Sequence, residues 1–123
     1  MNDIPQSDRL NEIWTRGNSS LTRVRALFES GASVNTSDQE GRTLLYVSAH
    51  RNELDLSAVL LDRGANVNQA NNNGVTPLWM AAQQGRLPVV QVLVDREANV
   101  NEANNYEITP LLMAALKGHL NVV

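Results

Sequence analysis

The 123-residue chain has no cysteine, which excludes a disulfide framework, a thiolate metal site and a cysteine nucleophile, and fits a reducing compartment. Histidine is nearly as scarce. His50 and His119 are the only two, so a nucleophile–base pair would need a Ser or Thr beside one of them. No Gly-rich phosphate loop, paired histidines at metal spacing or run of carboxylates appears, so no catalytic residue, metal or cofactor is expected. Long apolar runs are missing too: nothing approaches the roughly 18 residues of a membrane span. The start, Met1-Asn2-Asp3-Ile4-Pro5-Gln6-Ser7, lacks the basic and apolar regions of a secretory leader. Positive charge is short and scattered: 10 Lys and Arg against 13 Asp and Glu leave a net charge of −3, which argues against a nucleic-acid partner. The expectation is an intracellular protein, cytoplasmic or nuclear, without membrane insertion. Asn18-Ser19-Ser20 and Asn35-Thr36-Ser37 match the glycosylation acceptor, and without a leader they read as chance matches.

What the chain does have is a period. Thr76-Pro77-Leu78-Trp79-Met80-Ala81-Ala82 is echoed 33 positions on by Thr109-Pro110-Leu111-Leu112-Met113-Ala114-Ala115. Residues 38–70 and 71–103 align without a gap at 14 identities in 33, among them Gly41/Gly74, Thr43/Thr76 and Asp62-Arg63/Asp95-Arg96. Ala65-Asn66-Val67-Asn68 recurs unchanged as Ala98-Asn99-Val100-Asn101. A unit this short cannot bury a core alone, so self-similarity at this spacing predicts stacked repeats in one domain, 1–123.

Within 71–103, Asn72-Asn73-Gly74 signals a tight turn. Thr76 offers a capping hydroxyl, and Pro77 suits the first helical position, where a missing N–H costs nothing. Leu78, Ala81 and Ala82 give a small apolar face, and Gly85 reads as a left-handed C-cap. Leu87, Val89, Val90, Leu93 and Val94 then form a second stripe at helical spacing. Its β-branched run also suits a strand, but the matching Leu56-Ser57-Ala58-Val59-Leu60-Leu61 reads as helix. An extended connector around Asn99-Val100-Asn101 follows.

Thr-Pro-Leu-x-x-Ala-Ala, then Gly, then Val-x-x-Leu, then Ala-Asn-Val-Asn resembles the ankyrin repeat over nearly the whole chain. The resemblance implies an all-α solenoid of stacked helix-turn-helix units with short β-hairpin or turn connectors. Its units are a degenerate N-terminal repeat at about 5–37, full repeats at 38–70 and 71–103, and a partial one at 104–123. The family usually places His after Thr-Pro-Leu, and here that position holds Tyr46, Trp79 and Leu112. Tyr46 and Trp79 are expected to substitute buried aromatic area for the lost polar clasp. Leu44 replaces Pro, Asn52 the C-cap glycine, and Glu107 the turn glycine. Glu97 faces Gly64 and is expected to be strained if left-handed.

The first repeat sets Asp8, Arg9, Asn11, Glu12, Arg16, Arg23 and Arg25 between apolar Leu10, Ile13, Trp14, Leu21, Val24, Leu27 and Phe28, as a terminal unit with one wet face requires. At the other end Leu120 should lead into a second helix, yet the sequence given stops at Val123. Leu111, Leu112 and Leu116 should then be exposed, and the expectation is a fragment of a longer array or an open end that another molecule covers.

By the resemblance, partners meet the turn tips and the ends of the first helices. Those positions are Gln39, Glu40, Arg42, His50 and Arg51; Asn72, Asn73, Val75, Gln83 and Gln84; and Asn105, Tyr106, Ile108, Leu116 and Lys117. Val75, Tyr106 and Ile108 stand out as apolar or aromatic residues at tips and are candidate hot spots, although Tyr106 and Ile108 also suit packing on neighbouring repeats or on a continuation of the array. His119 follows Gly118, where the family commonly has a structural His. The resemblance also implies substrates of an asparaginyl hydroxylase, which takes a connector Asn preceded by Val and, eight residues earlier, Leu. Asn35 (Val34, Leu27), Asn68 (Val67, Leu60) and Asn101 (Val100, Leu93) fit, although such side chains also bond connector backbone. The function expected is a non-enzymatic module that binds another protein, folded or peptide, through its concave surface. Alternatives are an ankyrin-type kinase inhibitor, the ankyrin segment of a larger enzyme, channel or effector, and self-association through the open C-terminal end.

Overall fold

The turn that opens each unit is closed by the unit's own first side chain. In the computed structural model, which describes Phe28, Glu29, Gly31 and residues 33–123, Asp38 Oδ1 accepts the backbone N–H groups of Glu40 and Arg42, each at 2.9 Å. Asn71 Oδ1 does the same for Asn73 and Val75 at 2.9 Å, and Asn104 Oδ1 for Tyr106 and Ile108 at 2.9 and 3.0 Å. Asp and Asn suit the place because their short side chains reach an N–H two residues on. A backbone bond completes each tip: Gly41, Gly74 and Glu107 donate to the carbonyls of Asp38, Asn71 and Asn104, all at 3.0 Å. The donor residue is left-handed every time, with φ of 79, 77 and 64°. Gly74 lacks a side chain for a second reason, since a Cβ there would lie 2.5 Å from Asn105 Oδ1.

A threonine caps the helix that follows each tip. These first helices are α1 (Leu44–His50), α3 (Pro77–Gln83) and α5 (Pro110–Leu116). Thr43, Thr76 and Thr109 Oγ1 accept the N–H of Tyr46, Trp79 and Leu112 at 3.2, 3.1 and 3.2 Å, satisfying a donor that the helix start leaves open. The chain then reverses through Asn52, Gly85 and Gly118, left-handed at φ 60, 69 and 77°. One residue further, the N–H groups of Glu53, Arg86 and His119 reach back to the carbonyls of Ser48, Ala81 and Ala114, each at 2.9 Å, the closing bond of a Schellman cap. The second helices, α2 (Leu54–Asp62) and α4 (Leu87–Asp95), run back along the first. Among the described residues there is no strand, and the connectors are turns with one isolated antiparallel bridge between Ser37 and Thr43.

Helix α3 packs between α1 and α5, while α2 packs on α4, so the units stack in chain order. Leu44, Leu45, Leu56, Leu60, Leu78, Val89 and Leu93 are at most 4% exposed, and each contributes roughly 1.5–3 kcal/mol by leaving water. Ala49, Ala81 and Ala114, all 0% exposed, let the first helices approach closely. A polar pair sits in this core: Ser48 and Ser57 Oγ lie 2.8 Å apart, and Ser48 also donates to the Leu45 carbonyl at 3.0 Å. The matching pair in the next unit is Ala81 and Val90. Arg96 bridges back to Asp62 of the preceding unit, an exposed pair worth about 1 kcal/mol at most.

The fourth unit differs. After α5, residues 120–122 form a turn rather than the second helix expected from Leu120, with the N–H of Val122 bound to the His119 carbonyl at 3.0 Å. Leu111, Leu112, Leu116 and Leu120 are exposed. The apolar pattern read at Leu10, Ile13, Trp14, Leu21, Val24 and Leu27, its interleaved charges from Asp8 to Arg25, and the Asn18 sequon lie outside the described residues. No helix among the described residues is long and apolar enough to cross a membrane.

Candidate functional site

Successive turn tips are joined by asparagines. The N–H of Asn72 donates to the Glu40 carbonyl and its Nδ2 to the Gln39 carbonyl, both at 2.9 Å. One unit on, the N–H of Asn105 donates to the Asn73 carbonyl at 2.9 Å and its Nδ2 to the Asn72 carbonyl at 3.1 Å. A second row of rungs runs through the connectors: Asn35 and Asn68 Oδ1 accept the N–H of Asn66 and Asn99, each at 2.8 Å. Asn35, Asn68, Asn72 and Asn105 are therefore bound across units before any partner arrives. Asn101, the third connector position, has no such acceptor bond among the described residues.

Behind the tips lies a buried aromatic row. Tyr46, Val75 and Trp79 form one cluster, with Ile108, Met80, Met113 and Val47 packed on it. The Trp79 Nε1–H donates to the Ile108 carbonyl at 2.8 Å, and Asn71 Nδ2 donates to the Tyr46 hydroxyl at 3.4 Å. The aromatics thus pack between units as expected, and they also replace the lost polar clasp with hydrogen bonds of their own. Burial raises the pKa of the Tyr46 phenol, partly offset by the positive charge of Arg42, so it stays neutral at physiological pH.

This row corrects the expected surface. Val75 is 7% exposed and cannot meet a partner, because the residue after the tip glycine turns inward, its N–H and carbonyl both held by Asn71. Ile108, the same position one unit on, is half-buried against the cluster and lends its carbonyl to Trp79. Arg42, at that position in the second unit, is half-buried and bound to Asp38 Oδ2 at 2.7 Å and Glu40 Oε2 at 3.0 Å. Val75 thus belongs to the scaffold, while Ile108 and Arg42 are partly engaged in it and keep part of their surface in solvent.

The other expected positions lie in two exposed strips. At the tips are Gln39, Glu40, Asn72, Asn73, Asn105 and Tyr106; at the first-helix ends are His50, Arg51, Leu116 and Lys117. Gln83 and Gln84 are half-buried between them, and the Gln83 carbonyl is bound by the His119 ring at 2.8 Å. His119 thereby fastens the fourth unit to the third, with its ring against Gly85, where a Cβ would come within 2.6 Å of Nδ1. Tyr106 is 77% exposed and Leu116 66% exposed. Asp38, Asn71 and Asn104 carry the tips without having been marked by the repeat motif; their signal is an Asp or Asn three positions before each left-handed residue. Among the described residues no group of three or more His, Asp or Glu could hold a metal ion.

At the last described unit an apolar groove of about 240 Å³ opens between α4, α5 and the chain end, lined by Leu78, Val90, Val94, Val100, Leu111 and Val123 among others. A family model described as ankyrin repeats (3 copies) matches residues 14–104 and 59–123. No curated protein matches the chain.

Proposed function

The chain belongs to the ankyrin repeat family, and on that premise we propose that it is a rigid, non-enzymatic binder of another protein. Ankyrin repeats are in general protein–protein interaction modules. The proposed contact surface is the pair of exposed strips along the tips and the first-helix ends, with Tyr106 and Leu116 as its anchors. One observation carries this reading: Tyr106 projects from a tip whose two asparagine side chains, Asn104 and Asn105, are bound into the turn and the rung, and it is 77% exposed. An exposed phenol on a fixed backbone loses little side-chain freedom on binding, and aromatic side chains of this kind dominate interface energetics. Leu116 adds apolar area at the far end of the same unit.

Immobilised wild-type chain and a Tyr106→Ala/Leu116→Ser variant, both used for affinity capture with mass spectrometry, test the reading. Neither side chain belongs to the core, so the variant is expected to melt with the wild type. Proteins held by the wild type are expected to lose more than about fivefold in affinity for the variant, the roughly 1 kcal/mol above which an interface residue counts energetically. Unchanged affinities would remove Tyr106 and Leu116 from the interface.

A further inference from the structure

The tip of the third unit carries the chain's one Asn-Gly pair, Asn73-Gly74, and we infer that it is a site of spontaneous deamidation whose isoaspartyl product breaks one of the two bonds in the rung between the third and fourth units, the one from the Asn105 N–H. Asparagine followed by glycine is chemically labile because no Cβ shields the glycine nitrogen from the carboxamide of the residue before it. The Gly74 nitrogen, on losing its proton to solvent base, bonds to Asn73 Cγ. The Cγ–Nδ2 bond breaks, and nitrogen leaves as ammonia after taking up a proton. Water then opens the five-membered imide at either carbonyl. Attack at Cγ leaves an ordinary aspartate at position 73, and attack at the main-chain carbonyl leaves isoaspartate, whose peptide link runs through Cγ. Nothing is oxidised or reduced; one water is consumed and one ammonia released.

Three structural facts single out this pair. The first is that Asn73 has the idle carboxamide: Asn71 and Asn72 of its own tip, and Asn104 and Asn105 of the next, all use theirs in hydrogen bonds, whereas that of Asn73 has no partner among the described residues and is exposed. The second is that exchanging Gly74 to remove the lability is costly, with φ at 77° and a Cβ there 2.5 Å from Asn105 Oδ1 and 3.0 Å from Asn105 N. The third is that the turn uses only the backbone of residue 73. The same position holds Glu40 and Tyr106 in the neighbouring units, where it also donates its N–H to the first side chain of the unit. The Asn73 side chain is therefore dispensable to the turn, whereas Gly74 is held in place by the crowding of the next tip.

The two products differ in consequence. Aspartate at position 73 adds one negative charge and leaves the backbone intact. Isoaspartate turns the Asn73 carbonyl, which accepts the Asn105 N–H at 2.9 Å, into a free carboxylate and lengthens the tip by one methylene. Reaction proceeds through open states of the turn, because the Gly74 N–H is bound to the Asn71 carbonyl at 3.0 Å, so the folded protein reacts more slowly than the unfolded chain.

Folded wild type, urea-unfolded wild type and Asn73→Gln are held at physiological temperature in mildly alkaline buffer and followed by peptide mass mapping and by labelling with an isoaspartyl methyltransferase. The expected result is conversion of amide to acid at residue 73 in the folded wild type, slower than in urea, ahead of Asn72 and Asn105, and absent from Asn73→Gln. The separated isoaspartyl fraction is expected to lose hydrogen-exchange protection at the Asn105 amide, while Asn73→Asp keeps it. Residue 73 intact in the folded protein while the urea sample converts would overturn the inference, as would unchanged protection at Asn105 in the isoaspartyl fraction.

Discussion

Trp79 and Leu112 hold the same place in successive units, three residues after a capping threonine, and one is 5% exposed while the other is 47%. Their helices start alike, with the same cap at 3.1 and 3.2 Å. What separates them is the neighbour. Ile108 and Met113 of the fourth unit pack on the cluster that holds Trp79, and the Ile108 carbonyl is its hydrogen-bond acceptor, whereas no described unit covers Leu112. Burial is conferred by the following unit, as expected where each repeat is stabilised by the interface it makes with the next.

The sharpest test of that contrast is to truncate both side chains. Trp79→Ala should cost about 3–5 kcal/mol, through lost contacts and a residual cavity, whereas Leu112→Ala should cost about 1 kcal/mol or less. Urea denaturation midpoints measure both, and equal losses would show that position, rather than neighbour, sets the burial. The core serines allow a second comparison within the same frame. Ser48→Ala strands the Ser57 hydroxyl in a site where both residues are 0% exposed, and it should cost about 1–3 kcal/mol. Adding Ser57→Val rebuilds the Ala81/Val90 pair of the next unit and should bring stability back to within about 1 kcal/mol of wild type. A double variant no better than the single one would show that the units are not interchangeable inside. The smallest effect is expected where Gly64 and Glu97 match, both left-handed, at φ 89 and 68°. Glu97→Gly should raise the midpoint by about 1 kcal/mol in stability, since only the non-glycine residue carries the left-handed penalty; a drop would show that Glu97 makes a compensating contact.

The fold was legible because its punctuation is local. Thr-Pro at 76–77 and 109–110, Asn52, Gly85 and Gly118 at the reversals, and Glu97 opposite Gly64 act within a turn or two of chain, so spacing alone placed the caps and the strained residue. The candidate surface was read less well. Number in the unit puts Val75 at a tip, but the chain there bends under the aromatic row, and that bend is set by Asn71 acting two and four residues ahead. The hydrogen bond from Trp79 was out of reach for a different reason. Its acceptor lies 29 residues away, on a carbonyl that any residue supplies, so no side-chain pattern marks it.

The Trp79 indole also makes the molecule a gauge of its own assembly. Its N–H ends on a carbonyl of the fourth unit, so its emission should change when that unit undocks. The chain has only one other tryptophan, Trp14. With Trp14 replaced by Phe, the fluorescence should report on Trp79 alone, and therefore on the two junctions that its ring joins.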